Sequence, residues 1–279
     1  MTQPKMISPW TCGFQHAGDV IEYKGRIFCM WVENLVGENQ AATERVMYCI
    51  DDGPAMALTP YGYSSGVFCK EGGILRALLY GFNDCVEFVW NDYYSVWSNT
   101  IRRVAPDFWP TGKAIMWNNR ALIPGIHITG TSYNPPAYLR SWNYVSWDKH
   151  VIDCEPLGDI WGECTAGVSD DGALILLSRY REDCYLSIHR DEEGTGIKAI
   201  YFPDMAESKI SLLGNIMYYS TTDRQSIQND FYEDICSSVP GGCVSYPMLC
   251  NTSDGRTLML YSDDGGRGAN RNSIKLMEL

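Results

Sequence analysis

Basic charge is scarce in this chain. Lys and Arg number 22 against 34 Asp and Glu, for a net charge of −12. A polyanion would be repelled, so neither nucleic acid nor an anionic membrane surface is an expected partner. Histidine is rarer still, at 4 residues. His127, His150 and His189 are scattered without ligand spacing, so no catalytic metal or other cofactor is expected. The 11 cysteines contain no Cys-x-x-Cys pair, and an odd number makes a poor disulfide framework. Cys29, Cys49, Cys69 and Cys184 lie in apolar runs, where a thiol packs as a small core residue. That usage suits a reducing compartment and predicts a cytoplasmic protein. No apolar run approaches a membrane span, and the opening Met1-Thr2-Gln3-Pro4-Lys5 lacks an apolar signal core. A Pro/Ser-rich linker is missing too, so residues 1–279 are expected to form a single domain. No stretch carries the periodicity of a long helix.

What the chain does have is hairpins. Residues 162–180 place Ser169-Asp170-Asp171-Gly172 between two apolar runs, the strongest short-range signal for a β-turn joining antiparallel strands. Comparable turns fall at Lys24-Gly25-Arg26, Glu71-Gly72-Gly73, Asn118-Asn119, Leu213-Gly214-Asn215 and Ser253-Asp254-Gly255. They recur at intervals of about 41–53 residues, a period that allows several short strands per unit and marks a β-propeller. The expected fold is therefore all-β, a six-bladed β-propeller. A β-sandwich also repeats its turns, but every 8–12 residues and without the longer period.

Each unit adds outer strands, such as Arg45–Ile50, Cys85–Trp97, Ala137–Ile152 and Cys184–His189. The polar stretch Thr222–Pro240 makes the fifth unit the least regular, and residues 1–15 read as a lead-in. Aromatics reach 13%, with 9 Trp and 18 Tyr, which suits strands and sugar-stacking surfaces alike. Cys49-Ile50-Asp51-Asp52-Gly53 resembles the start of an Asp-box, and Ser146-Trp147-Asp148 and His189-Arg190-Asp191 fall in comparable places.

Three motifs carry a family resemblance. They are Gly162-Glu163-Cys164-Thr165 ahead of Ser178-Arg179, Tyr201-Phe202-Pro203-Asp204 with Ser208-Lys209, and Ser245-Tyr246-Pro247 ahead of Asp254-Gly255-Arg256. With them the chain resembles the sialidase (neuraminidase) superfamily, most closely the bacterial sialidase-like BNR-repeat proteins. The resemblance implies a six-bladed propeller in which Tyr246 is a nucleophile and Glu163 its partner. It implies further that Arg179 and Arg224 belong to an arginine clamp on a substrate carboxylate. Arg267 and Arg271, flanking the last outer strand, compete with Arg224 for that role. The chain departs from the family at Gln15-His16-Ala17, where His16 stands at the place of the first arginine. The usual acid also lacks a match, leaving Glu33 or Glu38. The arrangement is also similar to propeller lyases and rhamnosidases acting on uronic-acid sugars with a catalytic His.

The chemistry is coherent. A phenol with a pKa of about 10 is a poor nucleophile until a carboxylate takes its proton. A neutral phenol escapes the repulsion a carboxylate would feel toward an anionic sugar, and Tyr is a known exception to two-carboxylate glycosidase chemistry. Arginine forks hold a carboxylate in a geometry that Lys does not reproduce. Each residue also has a plainer explanation: a structural Glu163–Arg179 ion pair, a strand tyrosine, a loop histidine, solvated arginines. Three functions follow. The leading one is a glycoside hydrolase cleaving a terminal, acidic sugar of a carbohydrate substrate. The others are a non-catalytic propeller that binds glycan or protein, and a uronic-acid-directed lyase using His16 and Tyr246.

Overall fold

The computed structural model describes all residues except Met1, Cys12, 38–40, 155–157, 182–183, 191–194, 202–209, 215, 222 and 269–270. Glu38, the Phe202–Lys209 part of the second motif, and Asp191 lie outside the described residues, as do the side chains of 181–201 apart from Gly196. The chain divides into two compact units, Met1–Ser65 with Ile216–Leu279, and Gly66–Asn215.

In the first unit, Phe14–Tyr23, Arg26–Asn34, Glu44–Ile50 and Met56–Ala57 form one antiparallel sheet in chain order. A second is built from Val244–Asn251, Thr257–Asp263 and Ser273–Glu278, and is completed by Lys5–Ser8. The supposed lead-in segment is thus an edge strand that seals the last sheet with the first residues of the chain. A third sheet contributes Ile216–Ser220, Ser226–Asn229 and Asp234–Ser237 to this unit.

In the second unit, Tyr63–Glu71 enters at Gly66 and is followed by Ile74–Gly81, Asp84–Asn91 and Arg102–Pro106, with Val96–Trp97 on the side. The next sheet sets Phe108–Pro110 and Ile115–Trp117 against Arg120–His127, then Pro136–Ser141 and Asp148–Val151. The last has Cys164–Val168, Leu174–Arg181, Cys184–Arg190 and Thr195–Tyr201. Tyr133–Asn134 and Ile160–Trp161 make a short parallel pair. Among the described residues the only helix is a single 3-10 turn, Ala41–Thr43.

The described residues form six sheets of four or more strands, the number of blades expected. The least regular of them falls in the stretch after residue 215. There the strands are only four or five residues long, because the polar run offers few apolar side chains to bury.

The turns do what their residues demand. Lys24 and Gly25 have φ of 51° and 71°, and Asn118 and Asn119 have φ of 48° and 57°, the left-handed pair that matches strand twist in a two-residue hairpin. Gly172 and Gly255 have φ of 87°. Asp51, in the stretch resembling an Asp-box, caps the first hairpin: its carboxylate accepts from Ile27 N at 2.8 Å and from Arg26 Nε at 3.0 Å. Glu22 performs a similar task between sheets, accepting from Ser253 N at 2.6 Å and Ser253 Oγ at 2.7 Å.

Alternation then sorts the side chains. Cys29 and Trp31 face inward opposite Cys49 and Met47 and pack with Val20, Met248, Cys250, Leu260 and Ile274. In the second unit one core gathers Val67, Leu78, Cys85, Phe108, Ile123 and Leu139, and another gathers Trp117, Leu122, Tyr138, Ile160, Leu174 and Leu176. Each large apolar side chain so buried stabilises by roughly 1.5–3 kcal/mol.

Cys29, Cys49, Cys69, Cys85, Cys154, Cys164, Cys236, Cys243 and Cys250 are all free thiols, most of them buried. Burial pushes the Cys154 thiol up to about 11 and the Cys164 and Cys236 thiols up to about 12. At pH 8 these three should stay protonated and unreactive in the folded protein, since the thiolate is the nucleophile. A thiol-specific chromogenic reagent should therefore label them only after denaturation. Rapid labelling of Cys164 in the native protein would contradict this packing.

Candidate active site

The hairpin at 162–180 delivers its two charged residues together. Cys164 pairs with Ser178, so Glu163 and Arg179 lie one step beyond at the same open end. Arg179 N donates to Glu163 O at 2.9 Å, and Arg179 Nη1 donates to Glu163 Oε2 at 3.1 Å. Both side chains are largely shielded, at 18% and 15% exposed, so the pair resists screening better than a surface bridge. Gly162 precedes them because its Cα meets the backbone of Pro135 and Pro136; a Cβ there would sit 2.3 Å from Pro136 N.

In the first unit two bulges re-aim strands at their leading ends. The Phe14–Tyr23 strand slips register between Ala17 and Asp19, and Val244–Asn251 slips between Ser245 and Met248. A bulge turns a side chain out of the regular pleat. His16 and Tyr246 consequently meet, with ring centroids 4.1 Å apart, and Phe14 covers His16 at 4.0 Å. Tyr246 has φ of +58°. A bulky residue in that region stores strain, a feature concentrated at functional sites. It is only partly buried and packs against the cluster that holds Cys29 and Trp31.

Arg224 is tied to the same strand end. It too has positive φ, +54°, inside a turn closed by Arg224 N to Thr221 O at 2.7 Å. Its carbonyl accepts from Val244 N at 2.7 Å, two residues before Tyr246. Val244 faces Asp263 across the sheet, so the loop after Asp263 lies at this end as well. That loop carries Arg267 and Arg271, whose guanidinium carbons lie 5.8 and 5.7 Å from the Trp10 ring centroid. Arg267 is held by Nη2 to Ser273 Oγ at 2.6 Å and Nε to Arg271 O at 3.1 Å. Arg271 is exposed, and its guanidinium forms no ion pair among the described residues. Trp10 and Phe14 were not singled out in the sequence; Pro9-Trp10 in an otherwise polar lead-in was the available signal.

Glu33 has a different position. It lies opposite Arg45 in the neighbouring strand and accepts from Arg45 Nη2 at 2.7 Å and Nε at 3.1 Å. The cross-strand register gives this carboxylate a structural partner. No three His, Cys, Asp or Glu side chains converge as a metal-ligand set among the described residues.

Asp263 anchors the loop of arginines. Burial alone would raise its carboxyl, but bonds from Lys275 Nζ, Ser238 Oγ at 2.7 Å and Gly265 N at 2.8 Å outweigh it and hold the group below its ordinary value. A depressed carboxyl contributes stability that is present above its unfolded pKa of about 3.9 and is lost as pH falls through the folded value. Asp263→Asn should cost about 1–3 kcal/mol at neutral pH and flatten the acid limb of the stability curve below about pH 4. Thermal melts across pH check this; an unchanged acid limb would remove Asp263 as its source.

No family model matches the sequence, and no curated protein sequence matches it. Solved structures do. A protein of unknown function from Dyadobacter fermentans superposes with a TM-score of 0.71 at 12% identity, covering 100% of both chains. Trypanosoma rangeli sialidase gives 0.68 at 10% identity over 99% of this chain and 59% of its own. Leech intramolecular trans-sialidase, in complex with 2,7-anhydro-Neu5Ac, gives 0.70 at 9% identity over 100% of this chain and 70% of its own. The fold is therefore a β-propeller of the kind seen in sialidases. This chain spans little more than half the length of the trypanosomal enzyme.

Proposed function

We propose that this protein is a sialidase-like glycoside hydrolase that removes a terminal, acidic sugar from a glycan. The observation that carries the reading is Tyr246, a partly exposed phenol held at φ of +58° by a bulge and pressed on one side by His16. An ordinary strand tyrosine would avoid that backbone. The phenol is the group that attacks the anomeric carbon as the glycosidic C–O bond breaks and the aglycone oxygen leaves with a proton, and water then cleaves the tyrosyl–sugar bond; the family resemblance implies for Glu163 the role of taking the phenol's proton. Arg224 and Arg271, in the same unit as Tyr246, supply guanidinium groups to bind the sugar's carboxylate. Such positive groups in a chain of net charge −12 favour a local anionic ligand over a general polyanion.

A second reading is favoured by the His16–Tyr246 contact itself. In a uronic-acid lyase, His16 would withdraw the proton next to the carboxylate and Tyr246 would protonate the leaving oxygen. The test is a panel of aryl glycosides of sialic and uronic acids alongside uronate oligosaccharides. Release of the aryl alcohol without an unsaturated product supports the hydrolase. An ultraviolet-absorbing unsaturated product supports the lyase. Glycan binding with neither product would assign a binding propeller instead.

A further inference from the structure

The first residues of the chain hold the loop that carries Arg271. Lys5–Ser8 pairs with Ser273–Glu278, and Pro9 and Trp10 follow directly. Trp10 N donates to Ser273 Oγ at 3.3 Å, and the indole Nε1 donates to Gly13 O at 2.9 Å. Gly13 has φ of +68°, and a Cβ there would collide with Asn34 O, so the bend that receives the indole requires glycine. Gln15 Nε2 donates to Pro9 O at 3.2 Å, and Asn272 Nδ2 donates to Gln15 O at 3.0 Å. Half-buried Trp10 is thus tied between Gln15, which precedes His16, and the two residues that follow Arg271. All of these groups lie in the first unit with Tyr246.

The two arginines over the Trp10 ring are not equivalent. Arg267 has its guanidinium bonded to Ser273 Oγ and to the Arg271 carbonyl, so it shapes the loop. Arg271 lies 5.7 Å from the ring centroid, and its guanidinium has no ion pair among the described residues. An exposed arginine left to itself samples many rotamers. A carboxylate partner would fix it but would cancel its charge and occupy its N–H donors. An aromatic face attracts the cation through the ring quadrupole and leaves charge and donors available.

We propose that Trp10 is a positioning residue that holds Arg271 for a ligand carboxylate. The N-terminal segment that completes the last sheet would then also set the preference for acidic sugars. The role of Arg271 rests on the glycosidase reading, whereas its dependence on Trp10 does not.

Saturation-transfer NMR titration of the full chain with sialic acid and with galacturonic acid tests this. At least one should bind wild type, and Arg271→Gln should weaken it by about tenfold or more. Trp10→Phe keeps a π face, Trp10→Leu keeps apolar volume without one, and both lose the bond to Gly13 O. Trp10→Phe should bind within about threefold of wild type, and Trp10→Leu about fivefold or more weaker. In an Arg271→Gln background the same two substitutions should change affinity by less than about twofold, because no cation is left to hold. Circular dichroism melts establish that each variant folds; should Trp10→Leu not fold, Trp10→Met takes its place. Three results would each overturn the proposal: equal affinity in folded Trp10→Phe and Trp10→Leu, an undiminished Trp10→Leu effect in the Arg271→Gln background, or no binding of either sugar by wild type. If an acidic sugar binds in the expected pattern while no glycoside is cleaved, the hydrolase reading fails and the role of Trp10 stands. If a glycoside is cleaved and Trp10→Leu leaves its KM unchanged, the reading stands and the role of Trp10 fails.

Discussion

Tyr246→Phe should lose about 100-fold or more in turnover on a verified glycoside while keeping the fold. The substitution deletes one hydroxyl from a ring whose packing is set elsewhere. That ring rests on His16 and on the cluster of Val20, Cys29, Trp31, Met248 and Leu260, and neither contact needs the phenol oxygen. Phe also inherits the same backbone, so the φ of +58° and its cost persist in the variant. KM should change little if, as proposed, the carboxylate is held by arginine rather than by the phenol. Steady-state kinetics and a melting curve measure both quantities together. Retained turnover in a folded Tyr246→Phe would remove Tyr246 from the chemistry, and with it both the hydrolase and the lyase assignments.

The largest stability effect is expected at Glu87. This carboxylate is 4% exposed and lies between two arginines. Arg102 Nε donates to Oε2 at 2.8 Å, while Arg76 Nε is 3.1 Å from Oε1 without the alignment of a hydrogen bond. Arg102 also reaches the neighbouring loop, donating to the carbonyls of Tyr144 and Val145, so the group ties one sheet to the next. Removing the anion leaves Arg76, only 12% exposed, as an uncompensated buried charge. Breaking such a pair costs about 3–5 kcal/mol, far more than the pair itself contributes. Glu87→Ala should therefore lower the melting temperature by roughly 10 °C. Adding Arg76→Met should recover much of the loss, since it removes the orphaned cation. A Glu87→Ala protein that melts like wild type would show that water reaches and solvates the arginines.

Legibility in the sequence followed range. The hairpin turns were readable because Asn118-Asn119, Asp171-Gly172 and Asp254-Gly255 carry their own backbone preferences. The Glu163–Arg179 pair was readable for the same reason: once the Asp-Gly turn sets the register, Cys164 faces Ser178, and the next residues out must be neighbours. The Glu33–Arg45 pair was missed although it is also a cross-strand pair, because the connection between their strands, residues 35–43, gives no register. Arg267 and Arg271 were visible only as charges; nothing local announces that both lie against Trp10 from the opposite end of the chain.

By itself, the sequence determined that this chain is all-β, that its strands repeat with a propeller's period, and which turns close its hairpins. Those properties depend on alternation and on the φ preferences of Gly and Asn, which act within a few residues. Tertiary structure alone decided that residues 5–8 complete the last sheet and that His16 touches Tyr246. Each of these joins residues more than two hundred positions apart, or depends on a bulge whose extra residue costs little locally. Only the packing of neighbouring sheets selects among such arrangements, because the free energy that separates them comes from contacts that no short segment contains.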